Sequence, residues 1–141
     1  MSPEQLLGSV DASGSTVVAD FEAGIGTLTR MPSGGVDAVV LVVEPTAKSL
    51  EVATRAAGLV RGKSLGQLLV VANRLRDDAD LARLTEAFPG ERLVAVPDDP
   101  LILDADRRGA APLDVVPDAP AVLALLALAD HLVDMTAGRA G

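Results

Sequence analysis

The residues of this chain that can do chemistry are acids, amides and glycines set at the ends of apolar runs. Val17-Val18-Ala19 ends in Asp20, and Phe21-Glu22-Ala23-Gly24-Ile25-Gly26 follows at once. An acid at the carboxyl end of a buried parallel strand sits where α/β proteins bind ligands. Glycines after it let backbone approach a bound group. Three later apolar runs also end in polar residues: one in Glu44-Pro45, one in Asn73-Arg74, one in Pro97-Asp98-Asp99. The Asn73 amide carries both a donor and an acceptor, which matches a base edge. It serves equally well to end a strand and cap the next loop. Glu44 can simply end its strand. Asp98 and Asp99 precede Pro100 and suit a helix N-cap, because proline is favoured in the first helical turn. Arg107-Arg108 suits the carboxyl end of that helix.

Other chemistries lack their residues. There is no Cys, which removes disulfides and thiolate metal sites. His131 is the sole histidine and lies in an Ala/Leu stretch, so it reads as a surface or boundary residue. No metal site built from protein ligands alone is expected. Gly58-Leu59-Val60-Arg61-Gly62-Lys63-Ser64 approaches a phosphate loop, but its glycine spacing is one residue short. It also follows a helical pattern and precedes a strand, the reverse of a phosphate loop. It reads as a helix terminus, with Gly62 capping and Lys63 near the helix dipole.

The elements that must position these groups alternate. Residues 16–20 read as a first strand, 38–44 as a second, 67–72 as a third and 92–96 as a fourth. Their near-continuous Val, Leu and Ala indicate burial on both faces, as in a parallel sheet. Helices are expected over about 47–60, with Thr46 as N-cap, over 79–88 behind Asp77 or Asp78, over 100–108, and over 121–136. A weaker helix fits 25–30, a helical turn fits part of 4–10, turn chemistry fits 11–15, and 112–120 reads as extended linker. Alternating strands and helices argue for an α/β fold with a mostly parallel sheet of about four strands flanked by helices. Residues 1–15 form a lead-in, 16–136 a single domain, and 137–141 a frayed tail.

Composition narrows the partners. The chain has 141 residues, which suits one domain with a real core. The core must be aliphatic, since Trp and Tyr are absent and Phe21 and Phe88 are the only phenylalanines. A net charge of −8 with so few aromatics argues against nucleic acid, because phosphate neutralisation and base stacking both lack their residues. The longest apolar run, in residues 119–128, is too short to span a bilayer and is flanked by Asp118 and Asp130. No membrane partner and a cytoplasmic location are expected, given an amino terminus without basic or apolar leader character.

Four stretches in order carry a resemblance. Asp20-Phe21-Glu22-Ala23-Gly24-Ile25 is similar to the Asp-x-Glu-Ala-Gly segment of CooC-like nickel-insertion ATPases, within the MinD/ParA/ArsA group of deviant-Walker P-loop ATPases. Val42-Val43-Glu44-Pro45-Thr46, with Ser49-Leu50, resembles the family's next strand end. Val71-Ala72-Asn73-Arg74-Leu75 resembles its Asn-Lys/Arg adenine-side strand end. Val96-Pro97-Asp98-Asp99, then Ala105-Asp106-Arg107-Arg108-Gly109 and Pro112-Leu113, resembles its Pro-x-Asp segment and the Ala-Asp-x-x-Gly-x-x-Pro-Leu stretch after it. The resemblance covers about residues 16–135 and corresponds to the second half of a family member, hence an incomplete P-loop NTPase fold of the SIMIBI type.

The resemblance implies roles. Asp20 becomes the magnesium-side acid, with Glu22 and Gly24 in switch II. Asn73 pairs with an adenine edge, Arg74 and Pro97 flank the ring, and Asp98 and Asp99 follow on the same side. The family's Gly-Lys-Gly-Gly-x-Gly-Lys-Thr loop is not among the 141 residues, where Lys48 and Lys63 are the only lysines. The family's Cys-x-Cys metal pair is not among them either. Phosphoryl transfer depends on electrostatic stabilisation of the phosphate oxygens, so these residues alone are not expected to hydrolyse ATP. The expected role is a nucleotide-family domain, using ATP and Mg, that works with a protein partner, a complementing half or a second copy in a homodimer. The alternatives are a pseudo-ATPase used as an interaction module and a fragment of a normal ATPase. The phosphate-loop strand lies in mid-sheet in the family. Its absence leaves either closure of strand 16–20 onto strand 38–43 or an open apolar edge.

Overall fold

The structure, a computed structural model, describes residue 5, residues 14–21 and residues 25–137. Three apolar runs become strands: β1 (Ala38–Val43), β2 (Gln67–Leu75) and β3 (Arg92–Pro97). They form one parallel sheet in the order β1-β2-β3. Six helices join them among the described residues: α1 (Ile25–Arg30), α2 (Ala47–Gly62), α3 (Asp78–Ala87), α4 (Pro100–Arg107), α5 (Pro112–Val115) and α6 (Pro120–Ala137).

The sheet has three strands where four were expected. Residues 16–20 are solvent-exposed and form no strand, with Val18 86% exposed. A strand without a paired neighbour makes no ladder hydrogen bonds, so its backbone is better satisfied by water. Closure of this segment onto β1 therefore does not occur, and no described residue pairs with the outer edge of β1. Three further differences are local. β2 runs to Leu75, past the expected end at Ala72. The expected linker contains α5, where Pro112 sets the first turn and Val116 N–H donates to the Pro112 carbonyl at 2.8 Å. α2 continues through Gly62, with Lys63 as its cap and Ser64 in the left-handed region at φ 51°. The Lys63 ammonium donates to the Leu28 and Thr29 carbonyls, so it caps α1 rather than α2. Most of the expected turn in 4–10, and 11–13, lie outside the described residues.

Both faces of β2 are covered. Val70 and Ala72 pack with Val43, Ala53, Ala57, Leu84 and Phe88 beneath α2 and α3. Leu69 and Val71 pack with Val94, Val96, Ala121 and Met135 beneath α6. α6 is 18 residues long with a mean hydropathy of 1.4, long and apolar enough by those measures to cross a membrane. Here it lies against the sheet, with Asp130, His131 and Asp134 exposed along it.

The start of α3 is held by a reciprocal pair. The Asp77 carboxylate accepts from Asp80 N–H at 2.8 Å, and the Asp80 carboxylate accepts from Arg76 N–H at 3.1 Å and Arg76 Nε at 3.2 Å. Asp80 is only 3% exposed, and the Arg76 guanidinium and backbone N–H hold its carboxyl below the usual range. A depressed folded value means that this stabilisation is complete above the unfolded value of about 3.9 and is lost as pH falls through the folded one. Asp80→Asn is expected to lower the melting temperature near neutrality and to flatten the acid side of a melting-temperature profile taken between about pH 3 and pH 7.

Candidate functional site

The carboxyl ends of the three strands lie side by side, and each delivers a charged residue there. Glu44 follows β1, Arg74 lies near the end of β2, and Asp98 follows β3. Arg74 joins them. Its Nη1 lies 3.6 Å from Glu44 Oε1, and its Nε lies 3.6 Å from Asp98 Oδ1. All three side chains are substantially exposed, so these ion pairs orient the guanidinium more than they stabilise the fold.

The backbone places Arg74 there by a bulge. Ala72 pairs with Ala95 and Leu75 with Pro97, so Asn73 and Arg74 together stand opposite Val96. Arg74 takes φ 58°, a left-handed conformation that costs a non-glycine residue about 1 kcal/mol or more. Asp98 N–H donates to the Leu75 carbonyl at 2.8 Å and closes the bulge against β3. Asn73 is half-buried, and its side-chain amide hydrogen-bonds to no other described residue. A shallow groove of about 230 Å³ runs between the start of α3 and the end of β3, lined by Leu75, Arg76, Asp77, Leu81 and Pro97, with Asn73 and Arg74 outside its lining. A larger hollow of about 310 Å³, around Val60, Arg61, Ser64 and Gln67, lies at the opposite end of the sheet.

The first strand end is braced from behind. Ser49 Oγ accepts from Glu44 N–H at 2.9 Å, and Thr46 Oγ1 accepts from Ser49 N–H at 3.2 Å. Arg83 Nη1 donates to the Pro45 carbonyl at 3.3 Å. The Glu-Pro-Thr-x-x-Ser spacing thus latches the start of α2 onto the end of β1.

The expected site residues divide. Asn73, Arg74, Pro97 and Asp98 come together at this edge. Asp99 faces the helices instead. Its Oδ1 accepts from Leu101 N–H and its Oδ2 from Ala121 N–H, both at 3.0 Å, so one carboxylate caps α4 and α6 together. Asp20 is exposed and makes no hydrogen bond or ion pair with another described residue, while Glu22 and Gly24 lie outside the described residues. Among the described residues no three His, Cys, Asp or Glu side chains cluster as metal ligands. Sequence reasoning missed the linkage of Glu44 to Arg74 and Asp98. Its one signal was that every strand ends in a charged or amide residue.

No family model matches the chain. Among curated proteins it is 32% identical over 102 residues to the carbon monoxide dehydrogenase accessory protein CooC of Rhodospirillum rubrum, covering 72% of this chain and 39% of that protein. It is 33% identical over 96 residues to an uncharacterized ATP-binding protein of Methanocaldococcus jannaschii, covering 66% of this chain and 37% of that protein. Among solved structures, the MinD cell division protein of Aquifex aeolicus superposes with a TM-score of 0.58 at 23% identity, over 72% of this chain and 45% of that one. The fold is therefore that of a MinD-like parallel α/β domain, in part. The chain is related to P-loop ATPases of the MinD/ParA/CooC type, and it spans about two fifths of the length of the curated relatives it matches.

The geometry of this edge sets two expectations for stability. Asp99→Ala, which uncaps two helices at once, is expected to cost about 1–3 kcal/mol, with Asp99→Asn intermediate because its amide retains only one acceptor. Arg74→Gly is expected to be about 1 kcal/mol more stable than Arg74→Ala, because glycine tolerates the left-handed bulge. Urea unfolding of the variants beside the parent chain measures both.

Proposed function

We propose that these residues form the base-recognising half of a MinD/CooC-like ATP site, and that the phosphate loop is supplied by polypeptide outside the 141 residues. The observation that carries this reading is the convergence of Glu44, Asn73–Arg74 and Pro97–Asp98 at the carboxyl edge of a parallel sheet, where Pro97 also lines an open groove. Such edges are where open α/β sheets take their ligands. Asn73, with its unused donor and acceptor, reads the adenine edge. The Arg74 guanidinium and Pro97 border the ring, with Asp98 fixing Arg74 and Asp99 holding the helices behind. Relatedness to an ATP-binding protein and to CooC supports the choice of ligand.

Magnesium in this reading arrives with the nucleotide phosphates. Asp20, and Glu22 and Gly24 beyond it, form the switch II side and act only once the phosphate loop is in place. Little hydrolysis is expected from these residues alone, because the amides and lysine that stabilise the transferring phosphoryl group lie elsewhere. Work with a protein partner, in the cytoplasm and away from membranes, fits this division of labour.

A second reading is favoured by one observation. Asp20 stands exposed and outside the sheet, which suits a pseudo-ATPase domain that acts through protein contacts without nucleotide. Calorimetric titration with ATP and magnesium separates the two. The first reading expects weak binding by the chain alone, with Kd on the order of 0.1–1 mM, weakened about threefold or more by Asn73→Ala and left unchanged by Asp20→Ala. Heat that is absent up to several times that concentration, or indifference to Asn73→Ala, would favour the interaction module.

A further inference from the structure

Three acids stand at the strand ends: Glu44, Asp98 and Asp99. A carboxylate only accepts hydrogen bonds, whereas an amide both donates and accepts. That difference separates the purines. Guanine presents two adjacent donors, N1–H and its 2-amino group, which match the two oxygens of one carboxylate. Adenine presents an acceptor, N1, beside its 6-amino donor, which matches an amide and repels a carboxylate. An edge with free carboxylates therefore favours guanine. An edge with a free amide and occupied carboxylates favours adenine.

All three acids are occupied. Asp99 accepts from Leu101 N–H with one oxygen and from Ala121 N–H with the other. Glu44 and Asp98 face the same guanidinium, with Arg74 Nη1 3.6 Å from Glu44 Oε1 and Arg74 Nε 3.6 Å from Asp98 Oδ1. Asp98 is 47% exposed and directly follows Pro97, so a ligand bordered by Pro97 has access to it. Arg74 keeps φ 58° at this point. The backbone alone would be better served there by glycine, so what the arginine adds is its guanidinium. The neighbouring Asn73 amide keeps its donor and its acceptor unused by described residues. We infer that Arg74 is the specificity-determining residue of this site. Held from the far side by Glu44, it pairs with Asp98, withdraws the carboxylate that recognises guanine, and leaves Asn73 to select adenine. This rests on the adenine-nucleotide reading above and adds to it the residue that excludes the other purine. Exposed ion pairs contribute little to stability, yet a cation beside a carboxylate still competes for it with a ligand's donors.

The test follows the backbone amide resonances of Asn73, Arg74 and Leu75 in the full chain during titration with magnesium ATP and, separately, magnesium GTP. The parent is expected to favour ATP by about tenfold, the discrimination that a matched pair of hydrogen bonds gives between bases. Arg74→Gly removes the guanidinium and suits the left-handed bulge, so the parent circular dichroism is retained. Its preference for ATP is expected to fall to about one or below, as the freed carboxylate now favours guanine. Arg74→Lys, which keeps a cation, is expected to stay within about threefold of the parent. Added to Arg74→Gly, Asp98→Asn is expected to raise the ATP preference again by about fivefold or more. Asp78→Asn in the same background, at an acid that lines the groove without pairing with Arg74, is expected to leave it unchanged. A merely structural role for Arg74 is not corrected by removing a carboxylate. Three results would overturn the inference and leave the adenine reading standing: an unchanged preference in Arg74→Gly, no recovery with Asp98→Asn, or equal recovery with Asp78→Asn. Saturable shifts with neither nucleotide would remove the reading and the inference together.

Discussion

The fold depends on one constraint, the burial of β2. Leu69, Val70 and Ala72 are fully buried and Val71 nearly so, with helices on both faces and a parallel strand on each edge. A strand so enclosed can satisfy its backbone only through its neighbours. β1 and β3 are therefore held parallel to it, and α2 and α3 must return across one face while α6 closes the other. Small side chains make this possible. Ala53, Ala56 and Ala57 let α2 approach closely in a core that has one buried aromatic, Phe88, among the described residues.

The same constraint creates the site. Parallel strands release all their carboxyl ends at one edge, so residues distant in sequence meet there without any long-range design beyond the sheet itself. Arg74 reaches Glu44 and Asp98 because the three strands end together, and it can do so because the bulge adds a residue to β2 just where the ladder stops. A left-handed arginine at that point is an energetic cost retained at the strand ends, the kind of local strain that concentrates where ligands bind. Asp99, one residue past Asp98, turns the same edge into a foundation by holding the amino ends of α4 and α6.

Much of this is legible in the residues alone. Thr46, Asp77 and Asp99 announce helix starts, because a side-chain oxygen placed before an apolar period has few other uses. The continuous Val and Leu runs announce a parallel sheet. Residues 16–20 carry the same apolar signal and predict a strand, yet they lie exposed. Their pattern states what the segment can pair with, and no neighbour among the described residues pairs with it. The short α5 is hidden because the prolines at 112, 117 and 120 suggest extended chain. The Lys63 ammonium reads as a charge near the dipole of its own helix, since nothing local announces that the Leu28 and Thr29 carbonyls lie within its reach.

What the sequence by itself determined was three strands and the longer helices, the caps at Thr46, Asp77 and Asp99, the aliphatic core and the polar residue at each strand end. These come from local propensity and from the periodicity of burial, and both are written within a few residues of each position. What only the tertiary structure decided was which ends meet, the bulge that aims Arg74, the shared cap at Asp99 and a β1 edge with which no described residue pairs. Those depend on register and on neighbours across the sheet, and strand register is a relation between segments that neither segment carries alone.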